Sequence, residues 1–168
     1  MKFDPDSNGV FKLWLNSEGP LEEEVIAAGH LRQGKSPSMV AMVLGYGLFE
    51  ILRPRRSKKL PRHFVLALTP SEIVAFKASA GGGGAESSTE YHVNMSEEVA
   101  ARYPRAGVTL TDLGEKGEKS QGGILTIDGE SFPVARPNMN GDPNTDELFA
   151  VLSQAHTTLD QGQQNAGA

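Results

Sequence analysis

HFVLALTPSEIVAFKA, residues His63 to Ala78, decides the fold class of this chain. Two short apolar runs are separated by Pro70 and Ser71. Strands joined by so short a connection can only be antiparallel neighbours, because a parallel crossover needs about a dozen residues or more. A simple run of parallel βαβ units is excluded here. The stretch specifies a fold class and no chemistry.

The same pattern continues on both sides. Ile124 to Ile127 runs into Asp128-Gly129, a two-residue hairpin turn, and Ser131 to Arg136 returns. Arg105 to Asp112 reads as a strand through Val108 and Leu110. Gly114 to Gly123 is a polar, glycine-rich hairpin tip, and Ser79 to Thr89, with four consecutive glycines, reads as a flexible loop. Glu22 to Arg32 carries two patterns. Three glutamates after Pro20 suit the first turn of a helix, whereas Val25 to Leu31 reads as a strand. Val10 to Leu15 predicts a short helix, with Ser7 as its cap and Val10, Leu13 and Trp14 on one face. Asn144 caps a C-terminal helix with Glu147 three residues on, and Leu148, Phe149, Leu152 and Ala155 form its apolar face. The organisation expected is a lead-in over 1–20, loose through Asn8, one domain over 21–157, and a disordered tail over 158–168.

The 168 residues suffice for one domain with a core, and 38% hydrophobic with 22% charged residues suits a globular protein. There is no cysteine, hence no disulfide framework and no thiolate metal site, which fits a reducing cytoplasm. The start lacks the basic, apolar and small-residue regions of a secretory signal. A net charge of -5 disfavours nucleic acid or anionic membrane as a partner of the whole molecule. Charge is unevenly placed, however. Arg53, Arg55, Arg56, Lys58, Lys59 and Arg62 are six of the sixteen basic residues, and the rest of the chain has ten against twenty-one acidic.

Antiparallel hairpins followed by one amphipathic helix is the order of a pleckstrin-homology-like fold, and the local wording is similar too. Leu66-Ala67-Leu68-Thr69, a tight turn, then Ile73-Val74-Ala75-Phe76 resembles the bacterial pleckstrin-homology-like proteins. Tyr103 to Val108 resembles their next strand, and Asp142-Pro143-Asn144 the start of their helix. The likeness covers roughly Glu24 to Leu152, and its apolar motifs are of modest specificity. It implies a mainly β (α+β) domain, a partly open antiparallel barrel with a C-terminal helix, and it favours the strand reading of Val25 to Leu31. It also implies a scaffold for binding proteins, peptides or lipid head groups, without choosing among them.

Three constellations compete with that reading. Gly29-His30-Leu31-Arg32-Gln33-Gly34-Lys35-Ser36 matches the phosphate-loop pattern GxxxxGK[ST], making Gly29, Gly34, Lys35 and Ser36 candidate nucleotide contacts. Pro37 opposes it by disfavouring helix at Ser36, and so do Gly45 and Gly47 inside the helix that would follow. Asp128 follows an apolar run as a magnesium-binding aspartate would, but Asp128-Gly129 is better read as a turn. Next, Ser38 to Leu52 is the most apolar stretch, too short to span a membrane, and it runs into the basic cluster. Arg53, Arg55, Arg56, Lys58, Lys59 and Arg62 could then hold an anionic surface at about 1 kcal/mol per residue. Lys35, Arg53 and Arg55 echo the head-group loop of the resembled family, although the loop here is far longer. The plain alternative is a solvated charge run leading into a strand. Finally, His30, His63, His92 and His156 are scattered without metal-ligand spacing, no nucleophile elbow occurs, and the acidic residues form no catalytic pair. The expectation is a non-enzymatic binding module without cofactor or metal. Its partner is a protein or peptide. The alternatives are peripheral attachment to the inner face of the membrane through 38–62, or a nucleotide at 29–36.

Overall fold

The computed structural model of this chain describes residues 1–34, 59–81, 92–111, 113, 122–137 and 142–153. Eight strands are found there: β1 (Lys2–Phe3), β2 (Ala27–Gln33), β3 (His63–Leu68), β4 (Glu72–Gly81), β5 (His92–Pro104), β6 (Val108–Thr111), β7 (Gly122–Ile127) and β8 (Glu130–Ala135). Two helices flank them, α1 (Val10–Ser17) and α2 (residues 143–153), and Arg105–Gly107 forms one 3-10 turn. All strand pairs are antiparallel, in the order β1-β5-β4-β3-β2-β8-β7-β6, and the sheet does not close.

Both hairpins read from sequence are present. β3 and β4 pair from His63↔Ala78 to Leu68↔Ile73. Their turn is fixed by Thr69, whose N–H donates to the Glu72 carbonyl at 2.9 Å while its Oγ1 accepts from the Glu72 N–H at 3.1 Å. β7 and β8 pair from Gly122↔Ala135 to Ile127↔Glu130. Asp128 and Gly129 between them have φ of 52° and 75°, the left-handed pair that a two-residue hairpin requires.

β2 makes the corner. It pairs with β3 from Ala27 to Arg32, but with β8 only at Arg32 and Gln33. Where β2 and β8 part, the start of α2 fills the gap. The Thr145 hydroxyl donates to the His30 carbonyl at 3.1 Å, standing in for a strand amide. At the opposite corner, the Arg105 N–H donates to the Ser71 carbonyl at 3.0 Å, and the Asp128 N–H to that of Gly107 at 3.3 Å.

The result is two apolar layers. Between the β2–β5 and β6–β8 portions lies the interior: Leu31, Phe64, Leu66, Leu68, Ile73, Leu110, Leu125 and Phe132, closed by Leu148, Phe149 and Leu152 of α2. The other face of β2–β5 carries Ala28, Val65, Ala67, Val74, Phe76, Val93 and Met95, covered by Phe3, Phe11 and Leu15.

Several sequence readings change. Residues 1–8 are not loose: Lys2 and Phe3 pair with Asn94 and Val93, because Phe3 has the outer layer to enter. The side α1 turns to the sheet keeps Val10 and Trp14 of the expected face, partly buried against the outer layer, but is centred on Phe11 and Leu15 and leaves Leu13 out. Phe11 and Leu15 are buried, while Leu13 is 68% exposed. Its N-cap is Gly9 at φ 71°, with no side-chain bond, and not Ser7. In α2 the capping oxygens belong to Asp142, which accepts from the N–H groups of Asn144 and Thr145 at 3.1 and 3.2 Å; Asn144 lies inside the first turn. Arg105–Gly107 is a turn, so β6 begins only at Val108. Ala155, His156 and the expected tail lie outside the described residues.

Candidate functional site

The phosphate-loop match begins inside β2. Gly29, His30, Leu31 and Arg32 stand opposite Leu66, Val65, Phe64 and His63, so this part of the match is extended strand and not a loop. A phosphate cradle needs converging free amides at a helix start. The Gln33 N–H is used, donating to the Arg62 carbonyl at 2.8 Å, and the Gly34 N–H goes to that of Pro133 at 2.8 Å. Gly29 has a structural duty instead. A Cβ there would stand 2.7 Å from the Thr145 Cα, so α2 comes too close for any side chain. Lys35 and Ser36 lie outside the described residues.

Of the basic run, Arg53, Arg55, Arg56 and Lys58 also lie outside them. Lys59 is exposed and sits 3.2 Å from the Asp128 carboxylate, whose hydrogen bond and charge push the ammonium pKa up. Arg62 is exposed next to β3.

Sequence spacing gave no hint that His30 and His63 meet. The β2–β3 register places Arg32 opposite His63 and His30 two pairs along, so all three share the outer face. His30 Nε2 is 3.4 Å from His63 Nδ1, and His30 is fully buried. Burial first, then the charges of His63 and Arg32, push His30 down to about 3. Burial, then Arg32 and Arg62, push His63 down to about 4. Both rings are therefore neutral at pH 7 and form a donor–acceptor pair. A general base poised near the working pH would need the opposite tuning. Among the described residues no group of three His, Cys, Asp or Glu side chains could hold a metal, and no helix is long and apolar enough to cross a membrane.

The strand edges differ from each other. Beyond its short pairing with β1, the outer edge of β5 carries exposed Glu97, Glu98 and Arg102 and ends in Pro104. It is also broken by register shifts opposite Ala75, Phe76 and Ala78. Charges, proline and bulges are the usual guards of a strand edge. β6, Val-Thr-Leu-Thr, has none of them. Which of its groups face outward follows from the hairpin. Ile127 and Glu130 flank the two-residue turn and exchange both their bonds, so Ile127 and Leu125 bond to β8 and Thr126 and Ile124 to β6. Thr109 and Thr111, opposite them, point their backbone groups inward, and Val108 and Leu110 point theirs out. The Val108 N–H is taken by the Arg105 carbonyl. The Val108 carbonyl and both backbone groups of Leu110 have no strand partner among the described residues.

A scan of protein-family models, a search of curated proteins and a search of solved structures each found nothing that matches this chain.

Proposed function

We propose that this chain is a pleckstrin-homology-like interaction module, a non-enzymatic domain of a reducing cytoplasm that binds another protein or a peptide. The observation that supports this is the order of the elements. β2 to β5 build one antiparallel portion, β6 to β8 a second, and α2 then closes the layer between them. That is the order which the resemblance of Leu66 to Phe76 and of Asp142 to Asn144 implies.

Selection of binders from a random displayed peptide library tests the reading. Enrichment of peptides that bind the isolated chain is the expected result, with no rise in melting temperature on adding ATP or GTP. A nucleotide-specific rise that Lys35→Ala abolishes would replace the module with a nucleotide-binding protein. Failure to enrich any peptide, with salt-sensitive sedimentation on anionic vesicles lost when Arg53, Arg55 and Arg56 become glutamine, would replace it with a membrane-surface protein.

A further inference from the structure

We propose that Asn8 is a site of spontaneous covalent modification, at which the Gly9 amide nitrogen closes on the Asn8 side chain and converts it to aspartate and isoaspartate. The reaction asks three things of an asparagine. Its side chain must be unengaged, the next amide must be free to attack, and the next residue must not crowd the ring that forms. Asn8 is exposed, and Gly9 follows it in the left-handed conformation, at φ 71° and ψ 10°. Glycine puts no side chain beside the closing ring and turns through conformations that other residues avoid. Among the described residues none takes the Gly9 N–H or the Asn8 side-chain amide in a hydrogen bond.

The other asparagines among the described residues each lack one of these conditions. Asn16 is engaged at both side-chain atoms, donating to the Val25 carbonyl at 3.2 Å and accepting from the Val25 N–H at 2.7 Å. Asn94 is followed by Met95, whose N–H donates to the Met1 carbonyl at 2.8 Å. Asn144 is buried, and the Thr145 N–H after it donates to the Asp142 carboxylate at 3.2 Å.

The conversion needs water and neither oxidant nor reductant. The Gly9 nitrogen gives up its proton and bonds to Asn8 Cγ. The Cγ–Nδ2 bond breaks, and the departing nitrogen carries the proton off as ammonia. Water then opens the imide ring. Opening at the former side-chain carbonyl leaves aspartate, and opening at the main-chain carbonyl leaves isoaspartate.

Asn8 lies between two attachments of the N-terminal segment. The Ser7 carbonyl accepts from Asn144 Nδ2 at 3.1 Å and from the Val10 N–H at 3.4 Å, and the Gly9 carbonyl accepts from the Leu13 N–H at 2.8 Å. Aspartate keeps the backbone and adds a negative charge ahead of a helix with no acidic residue in its first turn and no side-chain cap, which the helix dipole favours. Isoaspartate lengthens the main chain between the two attachments, and so pulls the start of α1 away from the Ser7 anchor on α2.

A peptide map of the full chain, aged in mildly alkaline buffer both folded and unfolded in urea, tests this. Asn8 is expected to convert in the folded chain at close to its unfolded rate, giving two isomers with the mass gain of amide to acid. The fold should slow Asn16, Asn94 and Asn144 by about tenfold or more, because each must first open locally. Asn8→Ser should lose both products. Exchange of the Leu13 amide should quicken in the isoaspartyl form and keep the parent rate in Asn8→Asp. Asn8 intact in the folded chain, while the unfolded chain converts it, would overturn the inference, and so would conversion of Asn16 or Asn94 ahead of Asn8. An isoaspartyl form whose Leu13 amide exchanges as in the parent would overturn the link to α1.

Discussion

β3 and β7 each lie between two neighbours in the sheet, yet they are buried in different ways. From Phe64 to Leu68 every residue of β3 is buried, whereas β7 alternates half-buried and buried from Gly122 to Ile127. The alternating strand needs a cover on one face only. The continuous apolar strand needs two, and the second cover is built from the N-terminal segment. α1 has eight residues and a glycine N-cap without side-chain bonds, too short to persist alone. It holds because Phe11 and Leu15 enter the outer layer, and because Asn16 clips it to the chain ahead of β2, accepting from the Val25 N–H at 2.7 Å. A run without alternation thus calls for a partner elsewhere in the chain, however distant.

If the outer layer is a true core, Phe11→Ala should be as damaging as Phe149→Ala in the interior, each costing about 3–5 kcal/mol. Urea midpoints at unchanged m-value would show it, and a Phe11→Ala variant melting like the parent would reduce α1 to decoration. Thr145→Val should cost about 1–3 kcal/mol, because the single hydroxyl proton within reach of both the His30 carbonyl and the Asp142 carboxylate is lost inside the protein. Acid should act on the outer face first. Unfolded histidine titrates near 6.5, and folded His30 and His63 near 3 and 4. The unfolded chain binds more protons across that window. Stability is then complete above 6.5 and falls as the pH is lowered toward 4, by at most about 1.4 kcal/mol per pH unit for each ring. Asp142, whose pKa is pushed up by burial, works in the opposite direction. Unfolding free energies measured across this range should slope less steeply in His63→Gln; an equal slope would detach the pair from acid stability. The smallest effect belongs to Leu13→Lys, within about 0.5 kcal/mol, since that side chain is 68% exposed. A larger loss would mean that α1 has another covered side.

What could be read in advance follows the same division. The β3–β4 turn at Pro70-Ser71, the Asp128-Gly129 turn and the Leu148–Phe149–Leu152 face were legible because each is a local rule written in adjacent residues. β5 was not. Only Val93 and Met95 of its thirteen residues are buried hydrophobics, and Glu97 to Ala101 carries no alternation. Its strand character comes from the ladder that β4 offers. Phe3 gave no signal either, since two residues show no period. The contact of His30 with His63 is a product of register, which apolar pattern reveals only after the strands have been placed.

Gly29 shows how a letter pattern and a structural need can coincide. In the sequence it opens a phosphate-loop match, while in the molecule it is the spot where the first turn of α2 touches β2. A saturation mutagenesis scan scored only for folding should find position 29 intolerant even of alanine because of the helix beside it, and position 34 restrictive through its backbone alone. At Gly34 no atom stands within 4 Å of an added Cβ, although its φ of 110° still favours glycine. A genuine phosphate loop would make both glycines matter for nucleotide, whereas here the two would separate by distance to the helix. Sequence searches that weigh this glycine as a sign of nucleotide chemistry would be counting a hinge-free contact between a helix and a strand.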